Sequence, residues 1–531
     1  MKNFKTLLFV SFIAFASCNK FGDMNTDPTK SANLDPAIEL AFAQQKFSGS
    51  TNIQERVNII LTMPLVQQLG GGWANQYGQF YQRNQAYMSV LWEDNYASDI
   101  KNIVDAELRS RNATSQNLNA MARVMKVYDF ARLTDLYGDI PYFQGGEGYS
   151  QNISAPKFDK QADIYNDFFK QLDTAMTLFS TGKDMVPNDI FYKGDVGKWK
   201  RFTSSFRLRL AMRLVKRDPA KAQVEIMKAF NAGLMMSNDD ICMTRHDDNL
   251  NNYATYTGNG MSSALRQGGF PPGYRIQTTF INQLKNTNDP RLGVMARNYW
   301  DDQAGATFEN RIDITDQVKA QVGSFGVGPT DFIWDNWQNT INITVPNVGS
   351  VDVGNNLQKL QISKPLMANS APFFHLTYAE TEFLLADATI RLGLSLGTTA
   401  EMHYENGMRA ACQQLAYYPG STPISDAAIA QFISVNPLSP GKELEQINTQ
   451  LWINFFMNGP EAFANVRRTG FPKLASAYRT DGYSDPDTKL MPRRFEYPLS
   501  EKTLNKKNVD DALQGVGGKD DWNNRVWWDM Q

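Results

Sequence analysis

The stretch DVGKWKRFTSSFRLRLAMRLVKR, residues 195–217, combines a regular apolar stripe with many lysine and arginine side chains. The stripe recurs every three or four residues, as one face of an α-helix requires, and consists of Trp199, Phe202, Phe206, Leu210 and Leu214. Most of the basic residues fall off this stripe, namely Lys200, Arg201, Arg207, Arg209, Arg213, Lys216 and Arg217. We therefore predict an amphipathic helix whose cationic face is solvated or held in salt bridges.

The composition of the whole chain supports a structural role for these cations. The protein has 531 residues, 42% of them apolar, and a formal net charge of −2. A chain of this length and apolar content can bury a large core. Because no chain-wide positive field exists, we expect no nucleic-acid partner.

Helical periodicity dominates the chain on both sides of this stretch. Similar stripes cover residues 118–137 and 164–179, and Asp218-Pro219 supplies an N-cap and a first-turn proline for the helix that ends at Gly233. Further helical patterns cover residues 377–393, 399–416 and 442–458, the last one stopped by Gly459-Pro460. The sequence thus predicts a mainly α protein with a scaffold of about four tetratricopeptide-like helix pairs.

A loop-rich insertion interrupts the helical pattern at about residues 300–363. Within it, NTINITVPNVGSVDV (339–353) alternates apolar and polar residues on either side of a turn near Pro346–Gly349. This alternation is typical of a β-hairpin. The polar tail MPRRFEYPLSEKTLNKKN (491–508) is predicted to be extended.

The N-terminus reads as a lipoprotein signal. Residues 1–17 contain a basic start, an apolar run and small residues directly before Cys18. This arrangement looks like a bacterial lipobox, with Phe15 where Leu is usual, and an ordinary cleaved signal is the alternative. We predict that Cys18 carries lipid, that residues 18–33 form a tether, and that residues 34–531 form one domain.

Aromatic residues in polar segments are the candidates for ligand binding. In GGGWANQYGQFYQRN (70–84), Trp73, Tyr77 and Tyr81 are spaced by four and would share one face of a helix. The other candidates are Trp300 and the pair Trp334 and Trp337. Flat rings stack on sugar faces while amides and carboxylates bond the hydroxyls, so these segments suit oligosaccharide capture. The alternative interpretation of residues 73–81 is a packed helix face.

Signatures of catalysis and metal binding are scarce. The chain has no nucleophile elbow, no H-E-x-x-H and no P-loop, and RHDDN (245–249) is better interpreted as a polar loop around His246 than as a metal site. Cys242 and Cys412 are predicted to be buried free thiols. We therefore predict no enzyme activity, no catalytic residues, no cofactor and no metal.

Several stretches together resemble one known family, the SusD/RagB-type outer-membrane lipoproteins of Bacteroidetes. They include CNKFGDMNTDPTKS after the signal, DFARLTDLYGDIPY (129–142), GDVGKWKRFTSSFRLRLAMR (194–213), FHLTYAETEFLLADA (374–388) and MPRRFEYPLSEKTLNKKN (491–508). The matching stretches are spread over nearly the whole mature chain. Because binding residues vary within the family, the resemblance assigns only Cys18, as the lipid attachment site.

The resemblance implies a surface protein of the outer membrane that faces the cell exterior. Such proteins are mainly α-helical lids over a SusC-like TonB-dependent β-barrel transporter, and their ligands are usually glycans and sometimes peptides. We expect this protein to capture nutrients, foremost oligosaccharides, for such a transporter. A peptide-capturing lid is one alternative. A lipid-anchored glycoside hydrolase is another, which would need two carboxylates about 5–10 Å apart.

Overall fold

The computed structural model describes residues 34–252, 254–267, 273–336 and 338–531. The predicted signal peptide, the lipid attachment at Cys18, the tether at 18–33 and Trp337 lie outside the described residues. In the part of the chain that is described, every helix is too short or too polar to cross a bilayer.

Helices make up most of the described chain, and we number those of eight residues or more. They are α1 (Pro36–Gly49), α2 (Gln85–Asp94), α3 (Ile100–Arg109), α4 (Gln116–Tyr137), α5 (Gln161–Leu178), α6 (Val196–Arg213), α7 (Pro219–Ala232), α8 (Gly260–Gln267), α9 (Thr278–Asn286), α10 (Thr315–Val322), α11 (Tyr378–Leu392), α12 (Ala400–Gln413), α13 (Asp426–Ser434), α14 (Glu443–Asn454), α15 (Gly459–Thr469) and α16 (Lys506–Leu513). Shorter helical turns connect them, and π-helical segments lie at Gln54–Thr62, Asn75–Gln79 and Asn95–Asp99. Neighbouring helices pack in sequence, among them α4 with α5, α6 with α7, and α11 with α12. The predicted mainly α scaffold is confirmed.

Local capping explains where these helices begin and end. Asp195 accepts a hydrogen bond from the Lys198 amide at the start of α6, and Asp218 caps α7 in the same way before Pro219. Gly138 and Gly233 follow α4 and α7 with positive φ angles, which glycine adopts without steric cost. The predicted ends of these helices are thereby confirmed.

One predicted helix end is wrong. The helix expected to run to residue 458 ends at Asn454, and Gly459-Pro460 begins α15 instead of stopping α14. The physical reason is that proline fits the first turn of a helix, where its missing N–H is not needed.

The strands are short and occur as antiparallel pairs. They are β1 (Leu69–Gly71), β2 (Cys242–Thr244), β3 (Tyr274–Ile276), β4 (Ala296–Arg297), β5 (Tyr299–Trp300), β6 (Ile312–Asp313), β7 (Thr340–Val345), β8 (Gly349–Gly354), β9 (Gln361–Ile362) and β10 (Phe373–Leu376), paired as β1–β3, β2–β10, β4–β9, β5–β6 and β7–β8. The predicted hairpin is β7–β8, with Ile341 opposite Val353 and Ile343 opposite Val351. Its inner face covers a small second core built from Ile343, Val345, Val353, Trp300, Ile314, Val318 and Leu357.

The basic residues of this stretch divide into two groups: Arg207, Arg209 and Arg213 are buried in salt bridges, whereas Lys200, Arg201, Lys216 and Arg217 are partly or fully exposed. Arg207, Arg209 and Arg213 are only 2–4% exposed. Arg209 donates two bonds to Glu380 of α11, at 2.5 and 2.7 Å, and one to the carbonyl of His375 at 2.6 Å. The α6 helix is thus bonded directly to α11 and to β10.

Arg213, one turn further along α6, connects two other helices. Its Nε lies 3.0 Å from Asp135 of α4, and its Nη2 lies 2.6 Å from Glu461 of α15. Burial by itself raises the pKa of Glu461, but Arg209 and Arg213 more than offset this and lower that pKa below its usual value. Glu461 is therefore held ionised inside the scaffold.

The C-terminal segment also differs from its prediction as an extended polar tail. Leu499–Leu504 and α16 are helical, and Arg494, Phe495 and Tyr497 are buried. The Phe495 amide donates to the carbonyl of Leu136, and the Tyr497 hydroxyl donates to the carbonyl of Asp139. These long-range bonds hold the segment against the end of α4.

The histidine and the two cysteines that the sequence analysis considered are all buried. His246 is buried, with its Nε2 3.0 Å from the Ser48 hydroxyl of α1, and burial lowers the pKa of its imidazole to about 4. The described residues contain no cluster of histidine, cysteine and carboxylate groups that could hold a metal ion. Cys242 and Cys412 are buried free thiols, as predicted.

The Arg209–Glu380 pair can be tested by unfolding. Arg209→Met leaves the Glu380 carboxylate buried without its main cation, so we expect the free energy of unfolding to fall by about 3–5 kcal/mol in urea denaturation. Arg217→Met, which removes an exposed arginine just after the same helix, should cost less than about 1 kcal/mol. The double variant Arg209→Met/Glu380→Met should recover part of the loss, and equal losses for the Arg209 and Arg217 variants would contradict the buried-pair argument.

Candidate functional site

Two of the six predicted ligand-binding aromatics are exposed. Trp73 is 54% exposed and Trp334 is 58% exposed, although large apolar side chains are normally buried. Each lies on a loop, Trp73 directly after β1 and Trp334 in the segment before β7. They are the candidates with enough free ring area to stack on a ligand.

The other described candidates lie elsewhere. Tyr77 is half-buried and packs edge-to-face on Tyr87, with 5.1 Å between ring centroids. Tyr81 is 1% exposed, and Trp300 belongs to the small core beneath the hairpin. Neither Tyr81 nor Trp300 can present a ring face to a ligand in this structure, so the structure does not support either of them as a stacking residue.

The expected helical face through residues 73–81 does not form. The chain makes a 3-10 turn at Gly72–Ala74, a π-helical turn at Asn75–Gln79, and then places Tyr81 at a positive φ of 58°. This change of helical pitch directs Tyr77 toward Tyr87 and Tyr81 into the core. A spacing of four residues therefore does not bring the three rings onto one side.

β3 links the chain before Trp73 to the chain before Trp334, because β3 pairs with β1 and the residue after it, Gln277, forms a bridge with Val327. In β1, Gly70 pairs with Arg275 and Gly71 with Tyr274 of β3. Gly71 has φ of 86°, and a Cβ at this position would overlap the Ile333 side chain, next to Trp334. The chains can approach this closely because residue 71 lacks a side chain.

Gln79 bonds the same two loops to each other. Its side-chain oxygen accepts a hydrogen bond from the Gly71 amide at 3.0 Å. Its side-chain nitrogen donates to the carbonyls of Gly328 and Asp331, both at 3.0 Å, and of Pro329 at 3.3 Å. Gln79 is fully buried, so this amide, which the sequence suggested as a ligand contact, instead positions the loops.

Two further residues extend the exposed aromatics and were not found from the sequence. Phe332 and Tyr483 pack edge-to-face, with 5.0 Å between ring centroids, and the Arg479 guanidinium lies 4.7 Å from the Phe332 ring and 5.6 Å from the Tyr483 ring. Tyr483 is 42% exposed. We call Trp73, Phe332, Trp334 and Tyr483 the aromatic surface. Phe332 lies two residues before Trp334 in the chain, but nothing local to Tyr483 indicates that it packs against this segment.

The charges beside the aromatic surface favour ionised carboxylates. Arg479 forms an ion pair with Asp481, and its hydrogen bond lowers the pKa of that carboxyl. The Asp335 carboxylate accepts a hydrogen bond from the Phe332 amide at 2.9 Å. Ionised carboxylates and a guanidinium can bond the hydroxyls of a ligand that stacks on the rings.

The positioning role of Gln79 is testable. Gln79→Leu keeps the volume but removes the hydrogen bonds to the Gly71 amide and to the carbonyls of residues 328, 329 and 331, so we expect a loss of about 2–4 kcal/mol in unfolding free energy. Amide exchange measured by mass spectrometry should rise in residues 69–74 and 328–335. As a control, Gln76→Leu removes a partly exposed amide of the same turn and should leave the exchange unchanged. Equal exchange in both variants would show that Gln79 does not fasten the loops.

Known proteins share this fold and much of this sequence. The SusD-like family described as "Starch-binding associating with outer membrane" matches residues 29–498. Among solved structures, a chitin-binding protein is 34% identical, with a TM-score of 0.80 over 94% of this chain and 100% of its own, and a SusD-like protein of Bacteroidetes AC2a is 31% identical, with a TM-score of 0.85 over the same shares. A chitin-binding SusD homolog from Flavobacterium johnsoniae, 23% identical, has a TM-score of 0.72 over 93% of this chain and 98% of its own. No curated protein matches. The chain therefore belongs to the SusD-like family.

Proposed function

We propose that this protein is a cell-surface lipoprotein that captures oligosaccharides on the aromatic surface and acts as a lid for a SusC-like TonB-dependent transporter. The observation that carries the proposal is the exposure of Trp73 and Trp334 on two segments that Gln79 and the close approach of Gly71 to Ile333 hold together. Exposed rings next to hydrogen-bonding groups match the two sides of a sugar, one apolar and one covered with hydroxyls.

The relatives favour a glycan over other ligands. A solved structure that is 34% identical is a chitin-binding protein. Chitin oligosaccharides carry acetamido groups, whose methyl groups can contact aromatic rings and whose polar atoms can bond to carboxylates and guanidinium groups. They are therefore the first ligands to test.

The membrane anchor and the transporter partner rest on the N-terminal sequence and the family. The Cys18 motif and the family description as associating with the outer membrane both support attachment through lipid. A lid needs reversible binding, because a captured ligand must be passed on. Stacking on a few exposed rings gives binding of this modest strength.

Two other functions remain as alternatives to glycan capture. A peptide-capturing lid would use the same anchor and partner, and peptides in place of sugars in the binding assay would identify it. A glycoside hydrolase needs one carboxylic acid with a raised pKa to protonate the leaving group. The family and the chitin-binding relative are both described by what they bind. We therefore propose that this protein binds without cleaving.

The ligand site is tested by removing rings. Trp73→Ala and Trp334→Ala should each weaken the binding of chitohexaose about fivefold in isothermal titration calorimetry, because each lost stacking contact costs on the order of 1 kcal/mol. Phe143→Ala is the control, since Phe143 is 49% exposed but lies outside the aromatic surface. If all three variants bind as the wild type does, or if only peptides bind, the aromatic surface is not a glycan site.

The anchor and the partner are tested in membranes. Tagged protein solubilised from outer membranes should copurify with a TonB-dependent β-barrel in near-equal amount, as judged by mass spectrometry. Cys18→Ala should move the protein from the detergent phase to the aqueous phase, because the lipid chains supply the membrane affinity. Unchanged partitioning would contradict lipid attachment at Cys18, and the absence of a barrel together with cleavage of added polysaccharide would favour the hydrolase.

A further inference from the structure

A cavity separate from the aromatic surface lies in the loop-rich half of the protein. Its volume is about 490 Å³, and it opens between residues 293–299, 363–368 and 419–422. This size is typical of small-molecule sites. None of the residues that line it belongs to the aromatic surface.

Two hydroxyl groups in this cavity have no hydrogen-bond partner in the part of the chain that the structure describes. They belong to Ser363, which is 1% exposed, and to Ser421. A buried hydroxyl without a partner costs about 1–3 kcal/mol. A ligand with its own polar groups would recover this cost.

The cavity also has an excess of positive charge. Arg297 and Lys364 line it, and Arg297 lies 3.6 Å from its one acidic neighbour, Asp313. The Lys364 ammonium donates to the carbonyls of Glu309 and Arg311, at 2.8 and 2.9 Å, and no carboxylate of the described residues lies within 4 Å of it. The ammonium is therefore held in place but is not neutralised.

Arg311, which contacts the lining residue Tyr299, adds to this positive field. It is 2% exposed, and its guanidinium lies 3.8 Å from the ring centroid of Tyr299, which lines the cavity. Its Nε and Nη2 have no hydrogen-bond partner among the described residues, and the Glu309 carboxylate nearby is paired with Arg266. Burial and the proximity of Arg311 lower the pKa of Lys364, and the neighbouring carboxylates of Asp313 and Glu309 offset this only in part.

We propose that this cavity binds a hydroxylated organic anion of the sugar-acid class. Its carboxylate pairs with Lys364 and Arg297, and its hydroxyls bond to Ser363 and Ser421. The site shares no residue with the aromatic surface, so this inference goes beyond the proposed function and does not depend on it. The sugar acid can be a free monosaccharide or one unit of an acidic oligosaccharide.

The direct test compares matched acidic and neutral sugars. Galacturonic acid, trigalacturonic acid and galactose are titrated into the full-length protein in detergent. We expect the acids to bind and galactose to bind at least tenfold more weakly, since it lacks the carboxylate. Binding of the acids should weaken as sodium chloride rises from about 50 to about 500 mM, because salt screens the attraction. Tighter binding of the trimer than of the monomer would identify an oligosaccharide as the source of the acidic unit.

Two variants then locate the site. Arg297→Gln removes a partly exposed cation at the rim and should weaken galacturonic acid binding about tenfold, and Thr422→Trp fills the mouth of the cavity from an exposed position and should abolish binding. Arg217→Gln, an exposed charge removal elsewhere, should have no effect. Thermal unfolding checks that the variants remain folded.

The results decide whether the cavity binds sugar acids. They also distinguish failure of this inference from failure of the proposed function. Equal binding of acid and galactose, no binding of either acid, or wild-type binding by both cavity variants would overturn the inference. Chitohexaose is titrated in parallel and should bind all three variants normally. If it fails to bind the wild type while galacturonic acid binds, the proposed function fails and the second site stands.

Discussion

The salt bridges of α6 inside the scaffold are the constraint on which the rest of the structure depends. Arg209 and Arg213 are removed from water, which costs several kcal/mol for each charge unless carboxylates meet them with good geometry. Those carboxylates come from α4, α11 and α15, through Asp135, Glu380 and Glu461. The four helices can therefore pack in few ways, because any shift that separates one of these pairs leaves a charge buried alone.

Hydrogen bonds between side chains and backbone carbonyls connect the helical scaffold to the candidate site. Trp452 of α14 donates to the carbonyl of Val66 at 2.9 Å, and Gln68 donates back to the carbonyl of Trp452 at 2.7 Å. These bonds fix the chain directly before β1. From there, Gly71 and Gln79 bring the loop of residues 328–335 against the end of β1. The exposed rings thus lie on loops whose positions are fixed by the buried residues Gly71 and Gln79.

The aromatic surface and the cavity near Lys364 differ in their chemistry. The aromatic surface offers ring faces with ionised groups beside them, and this combination suits sugars through weak contacts that release easily. The cavity is an open pocket that contains two cations and residues whose hydroxyls have no partner in the described chain. Two such sites on one protein would let it retain a ligand that carries both neutral and acidic units, with each site contributing modest affinity.

The features that could be predicted from the sequence are those that depend on interactions between residues close together in the chain. The stripe of α6, the proline and glycine at the ends of α7, and the alternation in β7 and β8 depend only on residues within one or two turns of each other. Features that the sequence did not indicate mostly involve long-range contacts, whereas the wrong end of α14 has a local cause in Pro460. The segment around Phe495 is buried because it bonds to the end of α4, and Tyr81 and Trp300 are internal because their neighbours come from distant parts of the chain.

The sequence by itself therefore determined the helical class, the ends of α4 and α7, the hairpin, the lipobox-like motif at Cys18 and the resemblance to SusD-like proteins. The tertiary structure alone decided that Arg207, Arg209 and Arg213 are internal, that Gln79 is a positioning residue and that Tyr483 packs on Phe332, two residues before Trp334. The physical reason is that periodicity reports which side of one element is apolar, whereas the burial of a charge or ring depends on residues that are distant in sequence.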